Sequence, residues 1–230
     1  TSLFNFLQHF GLVTVDGNTY GLWHQFLDAF GLIALPDHSN VFAVGYSLFN
    51  MVGQIITLLG VIFLSGYLSN IFGKRNVFII CLALTAVFTS LFFVVDAKSV
   101  GLIFVINMLK SMAYAPTIPL LWAMMGDVAD HSEWVNHRRA TGFVFAGIVF
   151  ALKAGLGIGG AICGAIVDSF GFIPNVVQTE SALFGIRISS SIIPALTFVV
   201  GVFALLFYPI SKHFNEKIQQ ELAVRRSNKV

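Results

Sequence analysis

Residues 126–160 read GDVADHSEWVNHRRATGFVFAGIVFALKAGLGIGG. The stretch opens with charge: Asp127, Asp130, Glu133, Arg138 and Arg139 fall within fourteen positions. It then turns apolar for the length of a membrane crossing, broken by one lysine, Lys153, and a cluster of glycines. A charged segment abutting a lipid-length helix with a cation in its middle is not the pattern of a soluble core.

The composition agrees. The chain has 230 residues, of which 57% are hydrophobic and 10% charged, with 24 Phe. A soluble domain carries about 25% charged residues, so this chain has too little polar surface to stay in water. It reads as an all-α membrane protein. Cys81 and Cys163 both lie in apolar segments and read as small buried hydrophobes, not as a disulfide or metal pair.

Outward from the opening stretch, apolar runs recur at crossing length, about 20 residues each. The expected spans are 41–67, 76–95, 101–125, 140–167 and 185–210. Residues 1–15 are too short to cross and read as the end of a truncated transmembrane helix, so the chain is expected to be a fragment. Residues 16–40 form an external loop with Asp16, Asp28 and Asp37 and no Lys or Arg, its Leu22–Trp23 and Phe26–Leu27 pairs lying at the bilayer surface. Residues 41–210 are then a five-helix transmembrane bundle. Residues 211–230 are a basic tail in which Phe214, Ile218 and Leu222 recur at helical spacing.

Charge placement orients the bundle. Residues 68–75, 126–139 and the tail hold nine of the thirteen Lys and Arg. The opposite connections hold Lys98 and Arg187 beside six of the eleven carboxylates. The positive-inside rule puts the basic segments and the C-terminus in the cytoplasm.

Two cations remain inside spans. Lys153 lies fourteen residues beyond Arg139, roughly 21 Å along a helix, and Lys110 about nine residues into its span, roughly 14 Å. Both depths approach the middle of a hydrocarbon core about 30 Å thick. An ammonium there costs at least about 2.5–3.5 kcal/mol and normally faces a bundle interior or a wet cavity. Lys153 is either one half of a structural ion pair or a group lining a transport path, and the same choice stands for Lys110. All eleven Asp and Glu lie outside the span interiors, so partners for Lys153 come from helices not in this chain. Asn50 and Gln54 share one face of their helix, and with Tyr114 and Trp122 could line the same path; helix–helix hydrogen bonding accounts equally well for the first two. Pro116 and Pro119 interrupt their span, as in the broken helices that line transporter cavities.

Two apparent motifs have simpler explanations. GLGIGG (155–160) matches GxGxxG, but a dinucleotide site needs that motif between a strand and a helix start. Inside a spanning helix the glycines are a packing surface. Asp127-x-x-Asp130 resembles a Mg²⁺-pyrophosphate motif of intramembrane transferases, but Arg138 and Arg139 offer salt bridges within the same loop. No cofactor or metal is expected, nor catalysis or nucleic-acid binding.

PLLWAMMGDVADHSEWVNHRRATGFVFAGIVFALKAGLGIGG (119–160) closely resembles a cytoplasmic loop and the following helix of the glycoside–pentoside–hexuronide:cation symporters, the melibiose-permease-like branch of the major facilitator superfamily. PNVVQTESALFGIRISSSIIPALTFVVGVFALLFYPIS (174–211) resembles their last loop and helix, and LSNIFGKR (68–75) a short basic loop found widely in the superfamily. The resemblance implies the C-terminal six-helix half of a twelve-helix fold: five complete transmembrane helices plus the end of a sixth. It implies a sugar or glycoside substrate, Na⁺ or H⁺ as coupling cation bound mainly by the N-terminal half, and a cell membrane location, bacterial inner membrane. Lys153 falls on the family's functional lysine. Asp127, Asp130 and Glu133 with Arg138 and Arg139 fall on its gating charge pairs. The lysine at 110 departs from the polar uncharged residue often found there. The alternatives are a relative carrying a lysolipid or other amphipath, and a metal-dependent transferase using Asp127 and Asp130.

Overall fold

A computed structural model of the chain describes residues 2–13, 27, 30, 32–35, 37–174 and 176–227. Nine helices lie among them: α1 (Ser2–His9), α2 (Val41–Phe72), α3 (Lys74–Val94), α4 (Val100–Tyr114), α5 (Thr117–Asn136), α6 (Thr141–Ser169), α7 (Glu180–Ser190), α8 (Ile192–Leu206) and α9 (Lys212–Ser227). Five continuous helical runs are long and apolar enough to cross a membrane: 41–72, 74–94, 100–136, 141–169 and 180–206. The all-α membrane architecture read from composition is the observed one. The surface-lying pairs expected at Leu22–Trp23 and Phe26–Leu27 fall, Leu27 apart, outside the described residues.

α3 is the central helix, packed against α2, α4, α5, α7 and α8. Two runs are each built of two helices. The first breaks at Ala115–Pro116, the second at Ser191. Each second helix carries proline at its third position, Pro119 and Pro194. Proline is tolerated in the first turn of a helix because its missing N–H would have no intrahelical partner there. Pro116 has no N–H to continue the ladder of α4, so the chain bends and restarts.

The basic turn expected over 68–75 is shorter than its polarity suggests. Helix persists to Phe72, and Gly73 alone separates α2 from α3, with φ 81°. A β-carbon there would lie 3.0 Å from Cβ of Lys212. Both the left-handed backbone and the close approach of α9 select glycine.

The charged segment 126–139, expected as a loop, is helical through Asn136. The run 100–136 is 37 residues long, roughly 55 Å. A hydrocarbon core of about 30 Å takes up little more than half of it. The last turns of α5 therefore project beyond the apolar layer, where charge is compatible with helix. His137, with φ 55°, ends it.

α2 and α4 meet along small residues. A β-carbon on Gly60 would lie 2.5 Å from Cβ of Ala115; one on Gly53 would lie 3.1 Å from Nδ2 of Asn107 and 3.2 Å from Oγ of Ser111. Asn107, 3% exposed, donates to the Phe49 carbonyl at 2.8 Å. This seam is the close-packed, hydrogen-bonded contact that holds helices together in lipid, where hydrophobicity supplies no driving force between them.

α6 is different. None of its 29 residues is buried, and its main neighbours are α5 and α7. β-Carbons added at Gly155, Gly157, Gly159, Gly160 or Gly164 would meet nothing within 4 Å. Cys163, read from sequence as buried, is only partly so, and Cys81 on α3 is buried.

Candidate functional site

Two features stand out: an ionic cluster where α5 meets α9, and the open face of α6.

The cluster begins at the acidic stripe of α5. Asp127, Asp130 and Glu133 recur every three residues and face α9 rather than one another's loop neighbours. Asp127 is 7% exposed. Its two oxygens each accept from Nζ of Lys74 at 2.8 Å, and Oδ1 also accepts from Nδ2 of Asn215 at 3.1 Å. Asp130 accepts from Nε2 of Gln219 at 2.7 Å and lies 3.3 Å from Nη2 of Arg139 and 3.5 Å from Nη2 of Arg226. Arg226 grips Glu133 with two bonds, Nη2 to Oε2 at 2.6 Å and Nε to Oε1 at 3.2 Å. That grip is the largest influence holding the Arg226 guanidinium protonated beyond its ordinary range.

The expected pairing of these acids with Arg138 and Arg139 therefore needs correcting. Arg139 does meet Asp130, but Asp127 pairs with Lys74, and Glu133 pairs with Arg226. The side chain of Arg138 forms no ion pair among the described residues; its carbonyl accepts from Oγ of Ser132 at 3.4 Å. Helix to Asn136 points Asp127 and Glu133 at α3 and α9, away from a chain that turns only at 137. The carboxylates already hold cations, which leaves the Mg²⁺-pyrophosphate reading without a free pair of ligands. Among the described residues no group of three or more His, Cys, Asp or Glu is placed to hold a metal.

Sequence reasoning missed the tail's share of this cluster. Ile218 and Leu222, 0% and 2% exposed, pin α9 to the bundle. That contact sets Asn215, Gln219 and Arg226 against α5. Nε1 of Trp134 donates to Glu221 at 2.6 Å, Nη1 of Arg225 donates to the Trp134 carbonyl at 3.0 Å, and Phe214 packs edge-on to Trp134 at 5.7 Å. The signal was present in the spacing: Asn215 and Gln219 are one turn apart beside the apolar stripe 214, 218, 222. Tyr208 closes the cluster from the α8–α9 turn, donating to the Met124 carbonyl at 3.4 Å. Burial, and after it the charge of Asp127, pushes its phenol well above the usual range, so it remains a donor.

The six residues expected along a transport path fall into two groups. Lys153 stands on the exposed face of α6, in register with Gly157, Gly160 and Gly164. Asn50 and Gln54 are exposed on α2, Asn50 donating to the Tyr46 carbonyl of its own helix at 2.8 Å. Trp122 of α5 stacks on Phe145 of α6, with centroids 6.2 Å apart and planes at 17°. Lys110, half-buried, and Tyr114, exposed, lie one turn apart on α4 and touch rings of neighbouring helices. Nζ of Lys110 lies 5.6 Å from the Phe92 ring of α3, and Tyr114 contacts Phe198 of α8 at 6.2 Å. The structure thus separates the two lysines that depth alone had put together.

Comparison with known proteins adds a family. Residues 39–212 match the family described as MFS/sugar transport protein. Among curated relatives, an uncharacterized symporter of Bacillus subtilis is 25% identical over 208 residues, covering 87% of this chain and 45% of the relative. A glucuronide carrier protein homolog of Escherichia coli is 31% identical over 160 residues, 65% of this chain and 35% of the relative. An isoprimeverose transporter of Lactiplantibacillus pentosus is 38% identical over 93 residues, 40% of this chain and 19% of the relative. The chain therefore spans less than half the length of each of these relatives.

Proposed function

Because the chain belongs to the MFS/sugar transport protein family, in its glycoside–pentoside–hexuronide:cation symporter branch, we propose that it forms the C-terminal half of a sugar or glycoside symporter. A Na⁺ or H⁺ gradient drives uptake by alternating access across the cell membrane, with the α5–α9 end facing the cytoplasm. The observation that carries the reading is Lys153. It sits in a 29-residue apolar helix without one buried residue, among glycines with open space in front of them. A cation at that depth needs a polar environment. The N-terminal half supplies it: its helices close over the open face of α6, and Lys153 competes with the coupling cation for its carboxylates. Asn50, Gln54, Tyr114 and Trp122 line the path, while the half-buried Lys110 serves packing.

The ionic cluster is the inner gate. Its charges belong to different helices, so relative movement of those helices makes or breaks them together, the usual basis of a two-state element. Lys153→Ala in the full-length transporter is expected to lower gradient-driven sugar accumulation at least about tenfold, the equivalent of one charge-assisted contact of about 1.4 kcal/mol. Full coupled accumulation in that variant would remove Lys153 from the mechanism.

One feature favours a second reading, carriage of a lysolipid or other amphipath. A cavity of about 1050 Å³ opens between α1, α2 and α4, lined by apolar side chains including Phe6, Phe10, Phe104 and Met108. Uptake of labelled lysophospholipid that a sugar does not inhibit would select this reading over the first.

A further inference from the structure

A second cavity, of about 370 Å³, lies at the ionic end of the bundle, where α2 gives way to α3 and α8 to α9. Its walls come from residues 69–75 and 208–216, at the ends of spanning helices, with Met124 and Asp127 of α5, so its mouth is at the level of lipid headgroups. Three cations line it: Lys74, Arg75 and Lys212. Lys74 is spent on Asp127. The other two have no acidic partner among the described residues. Nζ of Lys212 donates to the Asn70 carbonyl at 2.6 Å; Nε and Nη2 of Arg75 donate to the Leu205 and Leu206 carbonyls at 3.3 and 2.7 Å.

Those bonds neutralise the carbonyl ends of α2 and α8, which would otherwise repel an anion. They leave two ammonium donors on Lys212 and the Nη1 edge of Arg75 unused. The first turn of α3 also borders the cavity, and no side chain caps it. Of the two acids in the wall, Asp127 is held by Lys74, and Glu216 is more than half exposed and lies 3.8 Å from His213. The uncompensated charge of the wall is positive.

We propose that this cavity binds a phosphate group, held by Arg75 and Lys212 with the amide ends of α3 behind it. Guanidinium and ammonium donors around a pocket of headgroup size are the chemistry that recognises a phosphate monoester or diester. Two sources carry that group, an anionic lipid at the mouth and free phosphate from the aqueous side. The site borders the ionic cluster through Lys74 and Asp127 but holds none of the residues assigned to the sugar path, and it does not depend on what the protein transports.

The test uses the full-length protein in detergent, with lipid retention measured by native mass spectrometry and thermal unfolding followed in parallel. Phosphatidylglycerol, phosphatidylcholine and inorganic phosphate are compared at matched ionic strength. Wild type is expected to retain phosphatidylglycerol in preference to phosphatidylcholine, with occupancy falling at least tenfold in Arg75→Gln/Lys212→Gln. Lys217→Gln, on α9 but outside the cavity, should retain it. Stabilisation by inorganic phosphate that the double variant loses would identify free phosphate as the ligand. Since Arg75 also caps α8, Lys212→Gln alone provides a variant with the α8 cap intact and should lose retention several-fold. Equal retention of the two lipids with no response to phosphate, or binding of either ligand unchanged in Lys212→Gln, overturns the site.

Discussion

Replacing Asp127 with alanine is expected to give the largest loss of transport of any single change at the inner end of the bundle. The carboxylate side chain is 10% exposed, and its Lys74 partner 36%. Breaking a fully buried pair costs about 3–5 kcal/mol, while an exposed pair is worth at most about 1 kcal/mol. A pair between those limits, with Asn215 also left without its acceptor, gives about 2 kcal/mol. In the gate proposed above, that changes the ratio of closed to open states by roughly 30-fold. Initial uptake should fall accordingly, and a cysteine introduced beside Gly73 should become more reactive to a membrane-impermeant thiol reagent from the inner side. The charge swap Asp127→Lys with Lys74→Asp should recover part of the rate. An unchanged rate in the single variant, or no recovery in the swap, would show that the pair is structural decoration. Arg226→Gln provides the contrast. Its guanidinium is 45% exposed, so its loss should leave uptake within about fivefold of wild type.

The second large effect is on folding. Gly60→Val should prevent α2 from seating on α4, because a β-carbon alone would lie 2.5 Å from Cβ of Ala115. Ala115 is 0% exposed and immediately precedes Pro116, at the bend where α4 ends. It has nowhere to move. Overpacking of this kind costs about 1–3 kcal/mol even where neighbours relax. Valine adds two methyl groups to the clash, so the yield of monodisperse protein should drop several-fold and its thermal midpoint should fall. Ala115→Gly deletes the offending atom. The next nearest atoms to Gly60, the Met112 carbonyl oxygen and sulfur, stand at 3.7 and 3.8 Å, ordinary contact distances. Gly60→Ala combined with Ala115→Gly should therefore behave close to wild type. Equal damage with and without Ala115→Gly would place the strain elsewhere.

The spans were legible because a membrane leaves a strong one-dimensional record: twenty apolar residues and a bias in Lys and Arg are enough. Their ends were less so. Polarity was read as the end of helix at residue 126, whereas α5 continues to Asn136, outside the apolar layer but supported by α9. The break at Pro116 was visible, that at Ser191 was not, since Pro194 lies three residues past it. The ionic cluster was half legible. The acids announced themselves as a group, but the identity of their partners depends on packing between segments 53 to 93 positions apart, which no local spacing encodes. Asn107 escaped notice because one amide within an apolar run looks the same whether it faces lipid or the Phe49 carbonyl. Lys110 and Lys153 looked alike because depth along a helix says nothing of its facing.

The distance in sequence between α5 and its partners also governs how the molecule is made. Glu133 leaves the ribosome 93 positions ahead of Arg226, and Asp130 precedes Gln219 by 89. At about 5–20 residues per second the delay is roughly 5–20 s. Throughout that interval the acidic stripe projects from the bilayer with its α9 partners, Asn215, Gln219 and Arg226, not yet synthesised, while α6, α7 and α8 are being inserted beside it. Water and counter-ions must hold those carboxylates until α9 arrives. α9 thus acts as a quality mark on biogenesis: a chain interrupted after α8 would hold the five described spans and still present an unfinished, hydrated acidic surface to the proteases that survey it.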